Sequence, residues 1–237
     1  LISNNLPIYY MKTQPLKENL QKSPTGIMGL DELTNGGLPR NRTTLIAGGA
    51  GCGKTVLGME FLVNGIRQYD EPGVFLSFEE DINSLCANFA SMGFDLRDLM
   101  ENNHLSIDYV DLQSLPSAET GEFSLEPLLL RLAGAIKKVG ARRVVVDTIE
   151  NIFLSLKNKQ SLRLEVRRLI HWLQENQVTA IITGEKGRDT LTRQELEEYV
   201  SDCVIFLDHR VEEQISKRRL RIIKYRGSGH ISDECPF

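Results

Sequence analysis

The sequence predicts an α/β fold with a mostly parallel central sheet flanked by helices and with late antiparallel strands. Short apolar runs alternate with amphipathic stretches, which is typical of parallel strands joined by crossover helices. A glycine-rich loop, Gly48–Thr55, follows the first strong apolar run and precedes a helical stretch. The last two apolar runs have only a charged segment between them, so we expect them to pair as antiparallel strands.

The predicted elements follow this alternation along the chain. Apolar and β-branched runs predict strands at Thr43–Ala47, Gly73–Phe78, Leu105–Val110, Arg142–Asp147, Thr179–Thr183, Cys203–Leu207 and Leu220–Tyr225. Apolar residues at helical spacing predict helices at Val56–Tyr69, Ile82–Met92, Leu125–Val139 and Leu162–Glu175. The intervening polar segments predict a loop at Leu112–Phe123 and a charged turn at Val211–Arg219.

Composition fits one large α/β domain. The chain has 237 residues, of which 41% are hydrophobic and 25% charged. Its apolar runs are too short to span a bilayer, and the four cysteines lack the spacing of a zinc or CxxC site. We therefore expect a cytoplasmic protein with reduced thiols and without a membrane partner. The net charge of -4 gives no general attraction to nucleic acid, which we do not expect to bind.

Both ends of the chain raise a question of domain organisation. Residues 1–22 show no periodicity and form an N-terminal extension, with Met11 as a candidate native start. Residues 23–237 form the predicted domain. The chain stops shortly after the last predicted strand, so we expect a longer parent protein that continues beyond Phe237.

The loop Gly48–Thr55 has the G-x-x-x-x-G-K-T pattern of a phosphate-binding loop. Its glycines allow the backbone N–H groups to surround a phosphate chain, Lys54 adds a positive charge, and the Thr55 hydroxyl can ligate Mg²⁺. The residues that we assign to the cradle are Gly49, Ala50, Gly51, Cys52 and Gly53. The alternative is a plain glycine-rich turn, which the flanking strand and helix disfavour.

Acidic residues end two other predicted strands. Asp147 ends the Val144–Val146 run, where proteins with this loop hold Mg²⁺, although an aspartate there can also cap a turn. Glu79 and Glu80 end an earlier strand, and one of them could act as a general base. Adjacent residues on a strand point to opposite faces, so we do not expect the two glutamates to share one role.

Two cations mark the end of the last predicted strand. Lys224 and Arg226 are two residues apart and share a face, and Gly227–His230 follows. The group could clamp a phosphate and stabilise transition-state charge. The alternative is a basic edge strand that blocks unwanted pairing, and the residues alone do not decide between the two.

These motifs together resemble the KaiC family of RecA-like ATPases. The segments that carry the resemblance are Ser23–Leu33, Asn35–Pro39, the phosphate-binding loop, Phe75–Glu80 and Lys224–His230. The last has the pattern K-x-R-G-[ST]-x-H and is the most specific of them. The resemblance covers nearly all of residues 23–237, and it implies that this domain is the first of two in its parent protein.

The resemblance implies a ring, usually a hexamer, with ATP and Mg²⁺ bound between subunits. One subunit would hold the phosphates through Gly51–Val56 and the nucleotide near its base through Ser91, while Glu79 and Glu80 would activate water. The neighbouring subunit would contact the same ATP through Lys224, Tyr225, Arg226, Ser228 and His230. A KaiB-like or other regulatory protein is an implied partner.

Two departures from the family pattern limit what the resemblance implies. Glu198–Tyr199 stand where the second domain of full-length clock members carries its phosphorylated Ser-Thr pair, so we do not expect autokinase activity in this domain. Cys52 replaces a more usual Thr or Ser. Because the loop backbone binds the phosphates, we expect little loss.

Three functions fit these observations. The first is slow ATP hydrolysis coupled to ring assembly in clock-type or stress signalling. The second is a DNA recombinase or helicase, whose pore loops would be Ser155–Ser161 and Gly184–Arg193. Their basic residues are offset by acidic neighbours, which disfavours this function. These residues are Lys186, Arg188 and Arg193 against Glu185, Asp189 and Glu195. The third is a scaffold in which ATP only holds the ring together.

Overall fold

The structure is a computed structural model that describes residues 20–111, 124–154, 159–187, 190–192, 201–212 and 214–237. An N-terminal hairpin comes first, with strands β1 (Lys22–Ser23) and β2 (Leu38–Pro39) paired antiparallel. A short helix, α1 (Leu30–Leu33), lies between them. We use the name N-terminal hairpin for residues 22–39.

The main sheet has eight strands in the order β10-β9-β8-β3-β7-β6-β4-β5. Six of them, from β8 to β5 in that order, run parallel, while β9 and β10 pair antiparallel at one end. The strands are β3 (Thr43–Gly48), β4 (Gly73–Ser77), β5 (Leu105–Tyr109), β6 (Arg143–Asp147), β7 (Thr179–Glu185), β8 (Cys203–Glu212), β9 (Ile215–Tyr225) and β10 (Cys235–Pro236). The predicted fold class is therefore confirmed.

Helices cover both faces of this sheet, because consecutive residues of its central strands are apolar and so present apolar side chains to both faces. Val145 packs with α2 and α3, while Val144 and Val146 pack with the helices on the other face. The remaining helices are α2 (Lys54–Tyr69), α3 (Ile82–Ala90), α4 (Leu96–Glu101), α5 (Glu126–Val139), α6 (Ile149–Leu154) and α7 (Lys159–Glu175). Every strand that feeds the site is thus held between two apolar layers.

A buried arginine joins the N-terminal hairpin to the sheet. The Arg143 side chain is fully buried and donates from Nε to Glu71 Oε2 at 2.7 Å and from Nη1 to the Phe61 carbonyl oxygen at 2.8 Å. Its Nη2 donates to the Pro24 carbonyl oxygen at 2.8 Å. Burial favours protonation of Glu71, but the hydrogen bond and charge of Arg143 outweigh it and lower the pKa of that carboxyl. Each of the three nitrogen atoms of this buried cation therefore has a partner, as a buried charge requires.

The structure corrects one predicted element. Val211–Arg219 is not a charged turn, because β8 continues to Glu212 and β9 begins at Ile215. Gln214, between the two strands, adopts the left-handed conformation with φ 67°. Charged residues occupy exposed strand positions here, so charge alone was a misleading signal for a turn.

Some predictions fall on residues outside the described ranges. They are the loop at Leu112–Phe123, most of the N-terminal extension, most of Ser155–Ser161, and Glu198–Tyr199. Helices α1, α4 and α6 and the short strands β1, β2 and β10 were not predicted from the sequence. A search of the described helices for one long and apolar enough to cross a membrane finds none.

Candidate active site

The glycine-rich loop lies between β3 and α2 at the carboxyl edge of the parallel strands. Gly51 and Gly53 have φ angles of 71° and 99°, which favour glycine. Lys54 is buried at the start of α2, and its Nζ donates to the carbonyl oxygens of Gly48 at 3.1 Å and Gly49 at 2.9 Å. The loop therefore has the strand-turn-helix context that a phosphate-binding loop needs.

Cys52 points away from the open side of this loop. Its side chain is 1% exposed, and a Cβ atom at Gly48 would lie 2.5 Å from its Sγ. Burial raises the pKa of the Cys52 thiol. This position in the loop therefore contributes backbone, and not a side chain, to the open side.

Asp147 and Thr55 meet at the carboxyl edge. Thr55 Oγ1 donates to Asp147 Oδ2 at 2.8 Å, and Thr183 Oγ1 donates to the other carboxylate oxygen. Asp147 is 3% exposed, and burial raises its pKa despite these two hydrogen bonds. The peptide bond between Asp147 and Thr148 is cis.

The oxygen donors of Thr55 and Asp147 fit a magnesium ion. Mg²⁺ prefers hydroxyl, carboxylate and phosphate oxygens, and it is commonly held by only one or two protein groups plus substrate phosphates. Across the described ranges, no three or more His, Cys, Asp or Glu residues form a group that could hold a metal alone. A metal here would therefore depend on phosphate oxygens as well as on these two side chains.

Glu79 and Glu80 have different surroundings, although both line the same cavity. Glu79 Oε1 accepts a hydrogen bond from Thr148 Oγ1 at 3.2 Å, next to Asp147. Partial burial and then the charge of Asp147 raise the pKa of Glu79. Glu80 Oε2 instead accepts a bond from Asn88 Nδ2 on α3 at 2.8 Å.

A cavity of about 630 Å³ opens in front of the glycine-rich loop. Its lining includes residues that the motifs did not indicate, namely Ile27, Glu60, Met92, Thr148, Glu185, Arg218 and Phe237. Thr148 follows β6 and Glu185 ends β7, so the rule that sites form at the carboxyl ends of parallel strands could have found them. Arg218 lies on the antiparallel strand β9, and no sequence signal pointed to it.

Ser91 is an exposed residue directly after α3, where its Oγ donates to the Asn88 carbonyl oxygen at 2.6 Å. It is absent from the cavity lining in the described part of the chain, whereas Met92 is present. Val56, in the first turn of α2, also lines the cavity.

The segment Lys224–His230 lies at the opposite edge of the sheet. Leu207 on β8 is beside Gly48, where β3 ends, whereas Cys203 on β8 is beside Thr44 and pairs with Tyr225 on β9. The four residues from Cys203 to Leu207 span about 13 Å at the usual rise of a strand. Lys224 and Tyr225 are therefore at the amino edge of the parallel strands, and the glycine-rich loop is at the carboxyl edge.

The side chains of this segment contact their own chain away from the cavity. Tyr225 Oη donates to the Gly37 carbonyl oxygen at 2.8 Å, and the His230 ring stacks on Tyr225 with centroids 6.4 Å apart. Arg226 is exposed, with Nη1 3.9 Å from Asp202 Oδ1. The structure thus divides the predicted site residues into two groups at two edges of one sheet.

A family model described as "ATPase: KaiC" matches residues 23–237, which include both groups of residues. The chain belongs to the KaiC ATPase family. The resemblance stated from the motifs is confirmed, and the sheet with its glycine-rich loop is the RecA-like P-loop fold of that family.

Curated relatives agree with this assignment. "Circadian clock protein KaiC2" of Synechocystis sp. is 52% identical over 219 residues, covering 92% of this chain and 39% of that protein. "Circadian clock oscillator protein KaiC" of Prochlorococcus marinus subsp. pastoris is 39% identical, covering 95% of this chain and 45% of that protein. The protein of the same name from Parasynechococcus marenigrum is 40% identical, covering 92% and 43%. The chain spans less than half the length of these relatives.

Proposed function

We propose that this KaiC-family chain binds and hydrolyses ATP at a site shared between two neighbouring subunits of a ring, most simply a hexamer. The observation that carries the proposal is the position of its two groups of site residues. The P-loop and Lys224–Arg226 lie at opposite edges of the sheet, so one nucleotide can contact both only if it lies between two copies of the chain.

The P-loop subunit would bind the triphosphate. The backbone N–H groups of Gly49–Val56 and the start of α2 suit phosphate oxygens, and Lys54 adds a compact positive charge. Thr55 and Asp147 would hold Mg²⁺, which neutralises developing charge on the phosphates when it is bound. Ser91 would lie near the base, a role supported by its neighbour Met92 in the cavity wall.

Glu79 is the better candidate for the general base. Its carboxylate is beside Thr148 and Asp147, whereas that of Glu80 is engaged by Asn88 on α3. The raised pKa of Glu79 also makes it a stronger proton acceptor than an ordinary glutamate. Glu80 would then position α3 and the cavity wall.

The neighbouring subunit would complete the site through Lys224 and Arg226. Two cations at the γ-phosphate would stabilise the charge that develops during attack by water. Tyr225, Ser228 and His230 would support or join this contact. None of the five lines the cavity within its own chain, as far as the described residues go, which agrees with a role toward another subunit.

Biological role is proposed from the relatives alone. Two of the relatives above are named circadian clock oscillator proteins, which supports a role in clock-type signalling, with stress signalling as the other case. A KaiB-like regulatory partner and a cytoplasmic location belong to the same proposal. Autokinase activity, if the parent protein has it, would reside in a second domain.

The test of the base is phosphate release by three variants, Glu79→Gln, Glu80→Gln and the double variant. We expect Glu79→Gln to lower turnover by about 100-fold to 10,000-fold, because the proton acceptor is lost while the shape is kept. Glu80→Gln should lower it by less than about tenfold. Binding of a fluorescent ATP analogue, measured on the same samples, controls for damage to the P-loop. Unchanged turnover in the double variant would show that neither glutamate is the base.

A further inference from the structure

Lys22 joins the N-terminal hairpin to the segment that carries Lys224 and Arg226. Its Nζ donates to the carbonyl oxygens of Thr34 at 2.5 Å and Asn35 at 2.9 Å, and to Ser228 Oγ at 2.7 Å. The same Nζ lies 4.8 Å from the centre of the Tyr225 ring. The ammonium group thus uses all three of its donors and also contacts an aromatic face.

Three further bonds tie the same two segments together. Asn35 Nδ2 donates to the Gly229 carbonyl oxygen at 2.9 Å, and the backbone N–H of Ile231 donates to the Leu33 carbonyl oxygen at 3.1 Å. Tyr225 Oη donates to the Gly37 carbonyl oxygen. Lys22 differs from the residues of these three bonds because its one ammonium group bonds both to the turn of the hairpin, at Thr34 and Asn35, and to the Ser228 hydroxyl.

The place of Ser228 in the chain, just after the end of β9, shows which residues the bond to Lys22 can hold in position. Tyr225 is 6% exposed and lies between Lys224, which is half-buried, and Arg226, which is exposed. After Tyr225 the strand ends, and the Arg226 backbone N–H donates to the Asp202 carbonyl oxygen at 2.7 Å. The backbone then turns at Gly227, which has a φ of 77°. The contact with Ser228 is the first side-chain bond after that turn that joins the segment to the N-terminal hairpin.

We propose that Lys22 is a positioning residue for ATP hydrolysis at the P-loop of the neighbouring subunit. Lys22 holds the turn after β9 so that Lys224 and Arg226 point outward in a fixed geometry. The inference rests on the proposed shared site. It gives the N-terminal hairpin of one subunit a part in the ATP site whose P-loop belongs to the neighbouring subunit. A neutral side chain of similar length, such as Met, would keep the packing and lose all three bonds.

The test mixes variant subunits in rings. In Lys22→Met the P-loop half is intact and the outward half lacks the three Lys22 bonds, whereas in the double variant Glu79→Gln, Glu80→Gln the outward half is intact and the P-loop half is inactive. Each variant alone should turn over ATP at least about tenfold more slowly than the unmodified chain, as expected for lost bonds to a charged group. An equal mixture should recover about one quarter of the unmodified rate, because about one quarter of the sites combine two intact halves.

Two controls make the result specific. Lys137→Met removes an exposed lysine on α5 and should leave turnover unchanged. Binding of a fluorescent ATP analogue to the dilute single chain should be the same in Lys22→Met as in the unmodified chain, because the P-loop half is untouched. A fault in the fold of Lys22→Met would lower this binding and would also prevent recovery in the mixture.

The double variant Lys224→Ala, Arg226→Ala separates the inference from the proposed function. It is mixed in the same way with the double variant Glu79→Gln, Glu80→Gln. Recovery of ATP turnover in that mixture, but not in the mixture with Lys22→Met, would overturn the role of Lys22 and leave the shared site standing. Recovery by neither would overturn the shared site and the inference with it. Unmodified turnover in Lys22→Met alone would also overturn the inference.

Discussion

Glu150 is a buried carboxyl that lies outside the proposed chemistry. It is 9% exposed in the first turn of α6, and its Oε1 accepts a bond from the Glu185 backbone N–H at 2.6 Å. Its Oε2 is buried and has no hydrogen-bond partner in the described residues. Burial raises the pKa of Glu150 to about 7, although the Glu185 N–H opposes the shift.

This raised pKa predicts a stability that falls as the pH rises. The folded state holds the proton up to about pH 7, whereas the unfolded chain releases it near the ordinary value of 4.5. The stabilisation from the bound proton is therefore full below 4.5 and is lost as the pH rises through 7. We expect Glu150→Gln, which stays neutral, to be more stable than the unmodified chain at pH 8.5 by up to about 3 kcal/mol. The gain should shrink at pH 6.

Urea unfolding at the two pH values without nucleotide or metal measures this difference. The exposed residue Glu101, at the end of α4, supplies the matched control Glu101→Gln, which should change stability equally at both pH values. A Glu150→Gln chain that is less stable at pH 8.5 than the unmodified chain would contradict the account of this carboxyl.

Among the helices and strands, those with a clear apolar pattern were predicted from the sequence. All seven predicted strands were found, including Arg142–Asp147, which begins at Arg143 in the structure, because buried strands are apolar runs. Helix α6 was not predicted because it begins only two residues after Asp147. The apolar run and its acidic last residue were interpreted as the end of a strand, and the residues that follow were not assigned. The hairpin of β8 and β9 was shortened because its exposed residues are charged.

The motifs indicated candidate site residues, and only the resemblance to the KaiC family indicated that Lys224 and Arg226 would serve a neighbouring subunit. The Gly48–Thr55 motif fixes its own strand-turn-helix context, so its local geometry follows from the sequence. The opposite position of Lys224 depends on which strands pair and in which register, which is a long-range property. Likewise Arg218 enters the cavity wall only through tertiary packing.

The contact of α2 with Arg143 offers a test of this packing. A Cβ atom at Gly65 would lie 2.5 Å from Arg143 Nε, and that side chain is fully buried with four hydrogen-bond or ion-pair contacts to hold it. We expect Gly65→Ala to destabilise the fold by about 1 to 3 kcal/mol, because the guanidinium must leave its partners.

Gly134 on α5 is the matched control. It is an exposed helical glycine with no atom within 4 Å of an added Cβ, so Gly134→Ala should stabilise the fold by about 0.5 to 1 kcal/mol. Thermal or urea unfolding compares the two variants. Equal effects would mean that Arg143 moves freely and does not fix α2 against the sheet.

At the scale of the whole molecule, the positive charge of the β8-β9 hairpin is partly compensated. Arg219 Nη1 lies 2.9 Å from Glu234 Oε2, and Arg210 Nη2 lies 3.4 Å from Glu234 Oε1. Asp208 is within 3.9 Å of Lys186 Nζ. A DNA motor would need a basic surface free to contact phosphates, so these pairs favour the ATPase ring over the recombinase or helicase.

Assembly is the central claim of this account, because in the proposed ring each chain would hold two halves of different ATP sites. In a heterologous contact, the P-loop of one subunit would face Lys224 and Arg226 of the next. Repeating this contact closes a ring if the rotation between neighbouring subunits divides a full turn evenly. ATP bridges the halves and should therefore stabilise the ring, while a scaffold that never hydrolyses ATP would assemble in the same way but release no phosphate.

The most direct measurement is the mass of the particle in solution with ATP, with ADP and without nucleotide, alongside phosphate release. With ATP we expect a particle of about six times the 26.8 kDa chain mass, and without nucleotide a smaller one. The double variant Lys224→Ala, Arg226→Ala should bind ATP as a single chain and assemble more weakly with ATP than the unmodified chain. A chain that hydrolyses ATP at its full rate while remaining a single 26.8 kDa particle would contradict the shared site.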